Sequence, residues 1–312
     1  MTDPARIDVH QHLIPPDRRG AIAGRATAQG WPAPAWDERS AIAMMDRRSI
    51  ATGMLSYAAP VAGPDDPGAA RAAARGINEY TAELVKDRPD RFGHFAALPL
   101  PDVDGALAEA AYALDELRAD GLVLLSNAHG RYLGDREFEP LWAELDARAA
   151  VVLVHPTAPP GAPLPDLPVP LVDFPYDTTR TALHMIVNGV RSRYRRMKVI
   201  LPHAGGFLPY AAHRFAAAGR LRPGVTPEDV LADLRSFHFD TAFVAGPTTL
   251  PTLLAFAGAG RVLYGSDFPM LPEEWGTGFD TALDEHPYPG PEDRYAVNRG
   301  NAELLFPRLA RG

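Results

Sequence analysis

The chain has 312 residues, 46% hydrophobic and 22% charged, with a formal net charge of −8. That is ample apolar material for a large core, and there is no basic surplus of the kind that marks a nucleic-acid partner. Cysteine is absent, which excludes disulfides, a thiol nucleophile and thiolate metal sites, and leaves imidazole and carboxylate as the strong ligands.

Eight short apolar runs follow one another along the chain, at 7–9, 52–57, 91–98, 121–126, 150–155, 198–203, 237–240 and 261–267. Between them the apolar spacing turns helical, at 41–48, 69–86, 104–118, 137–148, 178–194, 207–218, 227–234 and 248–257, with a last helix at 292–305. Runs such as VVLV and KVIL are apolar without alternation, as strands covered on both faces are. Eight strand–helix pairs predict an α/β fold with a parallel sheet and right-handed crossovers. Eight is also the number that closes a (β/α)8 TIM barrel, read here as a single domain over 1–312. Three connections, 17–37, 156–177 and 270–291, are long for such units and are expected to wall or roof a pocket. No apolar run of 18 residues and no cleavable leader is seen, so no membrane partner and a cytoplasmic location are expected.

The stretch RIDVHQHLIPP carries His10 and His12 two residues apart, hence on one face of a strand with Cα atoms about 6.5–7 Å apart. Two imidazoles so placed can grip one cation. Later runs end AVVLVHP, KVILPHAGG and RVLYGSDFP, which puts His155, His203 and Asp267 at strand termini. In a parallel barrel all strand C-termini meet on one rim, so these five residues are expected to converge. A single histidine at a strand end is more often structural; four with an aspartate point to a site. Asp240, ending the seventh run, is read as orienting a ligand histidine or capping the next element. His94 and His238, inside strands, read as buried imidazoles, and His129, His184, His213 and His286 as turn, packing or surface residues.

The motifs DVHQH, LVHP, LPHAGG and GSDFP occur in this order, with DTTRTAL, FHFDTA and a closing GNAELLF around them. The pattern resembles the amidohydrolase superfamily, within it the group of aminocarboxymuconate semialdehyde, γ-resorcylate and 6-methylsalicylate-like decarboxylases. The resemblance implies that His10, His12, His155 and Asp267 hold one divalent metal, Zn2+ first and Mn2+ as the alternative. It assigns proton transfer to His203, and in the hydroxybenzoate branch also to Asp267. Neither 121–126 nor 150–155 contains the lysine that bridges two metals in other members, so one ion is expected.

The activity implied is non-oxidative decarboxylation of a small aromatic or unsaturated carboxylic acid, salicylate-like. The alternative is hydrolysis of a lactone, amide or carbon–carbon bond by metal-activated water, and a silent binding barrel is disfavoured by the intact ligand set. Phe174 and Tyr176 occupy the stretch that lines the substrate in the family. One branch places an arginine shortly before the tryptophan matching Trp36, but 26–35 contains none; Arg25 and Arg39 are the nearest. Arg214 and Arg222 match arginines which that branch borrows from a neighbouring subunit, implying a homodimer or higher homo-oligomer.

Overall fold

The structure is a computed structural model describing residues 5–63 and 65–310. Its main sheet joins β1 (Arg6–His12), β2 (Ile50–Ser56), β3 (Phe92–Ala97), β4 (Gly121–Leu125), β7 (Val151–His155), β8 (Lys198–Leu201), β9 (His238–Asp240) and β10 (Val262–Leu263), in that order and parallel throughout. A two-stranded hairpin, β5 (Asn127–Ala128) and β6 (Arg131–Tyr132), stands on the rim after β4. The stretch after β10 closes the barrel onto β1. Val9 N donates to Tyr264 O (3.0 Å), Asp267 N to His10 O (2.8 Å) and His12 N to Phe268 O (2.7 Å). The expected TIM barrel is therefore observed, with β1, β3 and β7 buried along their whole length as strands covered on both faces should be.

The crossover helices begin where the sequence supplies caps. Asp37 and Ser40 form a capping box ahead of α2 (Glu38–Arg47), and Thr226 and Asp229 form another ahead of α9 (Pro227–Arg235). Asp66 caps α3 (Pro67–Asp87), whose Ala70, Ala73, Ala74, Ile77 and Thr81 make the buried stripe expected of a helix lying on a sheet. The remaining helices are α4 (Val103–Asp115), α5 (Glu139–Ala147), α7 (Val190–Arg193), α8 (Leu208–Ala216), α10 (Thr249–Ala257), α12 (Pro291–Tyr295) and α13 (Asn301–Leu305). A π-helical stretch, Ala296–Gly300, joins the last two, so the single helix expected at 292–305 is split.

Each of the three long connections, expected as loop, contains a helix: α1 (Arg19–Ala28), the first half of α6 (Val169–Val187) and α11 (Glu273–Asp284). Proline content hid α6. Pro170 stands in its first turn, where no amide partner is needed, and Pro175 is accommodated mid-helix, its carbonyl accepting from Thr179 Oγ1 at 2.8 Å. No helix among the described residues is long and apolar enough to cross a membrane.

His94 and His238 are buried in β3 and β9, and burial holds them near 4 and 3, with Arg261 adding to the depression at His238. Both stay neutral in the fold while the unfolded chain takes up protons below about 6.5. Stability is therefore expected to be full above that value and to decline as pH falls toward 4. Urea melts at pH 7 and pH 5 check it: the expected loss is about 2 kcal/mol per histidine.

Candidate active site

The rim at the strand C-termini is built by three hydrogen-bonded devices. Asp8, fully buried on β1, accepts from His10 N (3.0 Å), Gln11 Nε2 (3.2 Å), Ser266 N (2.9 Å) and Ser266 Oγ (2.5 Å), tying the histidine strand to the segment that carries Asp267. Burial raises its carboxyl to about 6. His155 ends β7 as expected, but His203 and Asp267 lie beyond their strands, in turns at φ +54° and +57°. A non-glycine residue in that region costs on the order of 1–3 kcal/mol. Here the conformation is held by His203 N donating to Asp240 Oδ1 (2.9 Å) and by Asp267 N donating to His10 O.

Each ligand-type histidine has its Nδ1 committed outward. His10 Nδ1 donates to Asp240 Oδ2 (2.9 Å), and His155 Nδ1 to Pro156 O (2.8 Å). Ser56 Oγ uses its own proton on Gln11 O (3.2 Å), so it accepts from His12 Nδ1 (2.9 Å). The three Nε2 atoms therefore face inward. His10 Nε2 and His12 Nε2 are 3.1 Å apart, and Asp267 Oδ1 lies 3.1 Å from His12 Nε2 and 3.4 Å from His10 Nε2. His155 Nε2 is buried without a hydrogen-bond partner. One ligand atom from each of His10, His12, His155 and Asp267 lies within 4.8 Å of the others. Ligand atoms on a tetrahedral ion at 2.0–2.1 Å stand about 3.3 Å apart, so the donor set fits one divalent cation.

The electrostatics agree with that fit. Burial pushes the Asp267 carboxyl up, but His10, His12 and His203 together hold it well below the usual carboxylate range. Burial, then His12 and His10, keep His155 far below the ordinary histidine value; burial also lowers His12. His10 goes the other way: against the effect of burial, Asp240 and Asp267 raise it to about 9. A positive charge is thus demanded at the centre of the group, and a bound cation satisfies the demand in place of a proton.

Asp240 supports two functions with one carboxylate, orienting His10 through Oδ2 and fixing the turn of His203 through Oδ1, which also accepts from Ala242 N (3.0 Å). Asp240→Asn is expected to weaken metal affinity by about 10–100-fold, read by dialysis against graded metal buffers.

A cavity of about 70 Å³ opens over this group, bounded by His155, His203 and Asp267 on its floor. All three long connections contribute to its wall, among them Arg25 and Trp31, Phe174, and Met270; Phe243 comes from the turn after β9. Tyr176 is 45% exposed and does not belong to the wall. Arg214 is exposed on α8 away from the cavity, and Arg222 is engaged with Ile186 O (3.1 Å) and Ser192 Oγ (3.2 Å). In the sequence Arg25 stands out only as the nearest arginine upstream of the arginine-free stretch 26–35. It is half-buried in the cavity wall, and its guanidinium makes no hydrogen bond or salt bridge among the described residues. A helix within 17–37 was the missing signal, because only that helix turns Arg25 inward.

Comparison with known proteins gives this arrangement its context. The chain is 39% identical over 317 residues to a 6-methylsalicylic acid decarboxylase of Penicillium expansum, covering 98% of this chain and 97% of the relative. A solved amidohydrolase II structure superposes with a TM-score of 0.90 at 32% identity, covering 97% of this chain and 99% of the other. A crystal structure of 2,6-dihydroxybenzoate decarboxylase complexed with 2,6-dihydroxybenzoate superposes at 0.83 and 26% identity, with 97% and 99% covered. Residues 7–308 match the amidohydrolase family, and with a relative of this identity along the whole barrel, the chain belongs to that family.

Proposed function

We propose that the protein is a metal-dependent, non-oxidative decarboxylase of a small aromatic carboxylic acid of the salicylate type. The observation that carries the reading is the convergence of three inward Nε2 atoms and one carboxylate, with His155 and Asp267 opening onto a cavity walled by aromatic rings and by the Arg25 guanidinium, which has no hydrogen-bond or salt-bridge partner among the described residues. In this reading His10, His12, His155 and Asp267 are the ligands. Mixed imidazole and carboxylate ligation suits Zn2+, with Mn2+ as the alternative. A divalent ion held there supplies Lewis acidity toward the acid's carboxylate or ortho-hydroxyl oxygen.

The rest of the chemistry falls to the chain. Loss of CO2 leaves an electron pair on a ring carbon, which must take up a proton. His203, its Nε2 3.3 Å from Asp267 Oδ2, is placed to hold and deliver that proton, and Asp267 is the second acid–base group. Phe174, its ring centroid 6.3 Å from that of His155, packs against the aromatic ring, and with Trp31 and Phe243 keeps water from the carbon. Arg25 gives the acid's negative charge a partner in a poorly solvated place. Family relatives named as decarboxylases also favour this reading over the hydrolytic alternative.

The test incubates metal-loaded protein with salicylate, 6-methylsalicylate, 2,6-dihydroxybenzoate and aryl lactones, following CO2 and acid release separately. CO2 from a salicylate-type acid is the expected result; acid release from a lactone with no CO2 from any acid overturns it. A homodimer or higher homo-oligomer in the cytoplasm completes the proposal. There the exposed Arg214 and α8 would face a neighbouring subunit, and sedimentation equilibrium measures the assembly.

A further inference from the structure

A second and larger chamber, about 330 Å³, adjoins the cavity over the ligand group. Arg25, Ala59 and Thr157 line both spaces, so the two adjoin across these side chains. Beyond it the wall is built from the C-terminal ends of β2, β3 and β4 and the segments that follow, with Val61, Leu98, Leu100, Val123 and Ala128 facing the space. Asn127, a polar group of that wall, is already committed. Its amide nitrogen donates to Asp177 Oδ2 (2.8 Å) and Ala158 O (3.2 Å), and its oxygen accepts from Gly130 N (2.8 Å). The remaining polar lining includes Arg25 and Thr157 at the junction, with Tyr57 and His129. Along its aliphatic side such a space holds water poorly, and an alkyl chain would gain from every methylene buried there.

We propose that this chamber receives an apolar chain on the ring of the acid, so that the preferred substrates are salicylates bearing an alkyl group longer than methyl. The inference rests on the decarboxylase reading and deepens it: the charged head stays with the ligand group and Arg25, and the chain passes Ala59 into the chamber. The space over the ligand group, about 70 Å³, is the smaller of the two, and the aliphatic side of the larger suits an alkyl chain.

The experiment is a calorimetric titration of manganese-loaded protein with 3-methyl-, 3-propyl- and 3-pentylphenol, the molecules left when 6-alkylsalicylates lose CO2. Binding is expected to tighten by up to about fourfold per added methylene. Ala158→Phe, in a residue that lines the chamber but not the cavity over the ligands, is expected to abolish that gain while 3-methylphenol binds as before. Ala128→Leu, in the hairpin, serves the same purpose should the first variant fold poorly. Equal affinity along the series, or a gain that survives in both variants, overturns the proposal. CO2 release from 6-methylsalicylate is measured on the same preparation. Its absence beside an intact chain-length series counts against the decarboxylase reading and not against the chamber.

Discussion

Replacing His203 with alanine is expected to leave the protein with its full complement of metal while lowering kcat by about 10²–10⁴-fold. The separation follows from geometry. His203 stands beside the ligand group, its Nε2 3.3 Å from Asp267 Oδ2, but does not belong to the four residues whose donor atoms converge. Its main chain is anchored through the amide bond to Asp240 Oδ1, which alanine retains. What the substitution removes is the imidazole whose Nε2 stands beside Asp267 and is placed to pass a proton to the substrate. The measurement pairs kcat with metal content by mass spectrometry or atomic emission on the same sample. If metal is lost together with turnover, His203 is a ligand and the division of roles is wrong.

Asp267→Asn is expected to fail in both respects. The amide is nearly isosteric, so the turn at φ +57° and the amide bond to His10 O can persist. The charge cannot. Asp267 is the one carboxylate in the converging group, and neutralising it leaves three imidazoles to hold a dication. Metal affinity is expected to fall by more than the roughly 10–100-fold foreseen for Asp240→Asn, because a ligand is lost and not its support. Losing several kcal/mol of Lewis-acid assistance corresponds to about 10³-fold in kcat for each 4 kcal/mol. Added metal in excess is expected to restore Asp240→Asn far more than Asp267→Asn. Equal rescue of both would show that the carboxylate is not a ligand.

Much of this was written in local pattern. The period-two placement of His10 and His12, the unbroken apolar runs ending at His155 and near His203 and Asp267, and the helical spacing between them all depend on near neighbours in the chain. They therefore survive in a linear reading, and eight such units leave little choice of architecture. Asp240 was legible as far as its place at a strand end, but its two partners were not. One is His10, 230 positions away, and the other is the main chain of His203.

Local pattern in the chain is enough to specify the barrel and the identity of the residues on its rim. Tertiary structure alone decided that His203 and Asp267 lie past their strands in left-handed turns, held because their own amides donate to acceptors on remote segments, Asp240 Oδ1 and His10 O. It also decided that three Nδ1 atoms are tied back so that the Nε2 atoms face one point, and that α1 turns Arg25 toward the cavity while Tyr176 and Arg214 stay outside it. The reason is physical: periodicity says which face a side chain takes, but tautomer, backbone strain and cavity shape are set by hydrogen bonds and packing between segments far apart in the chain.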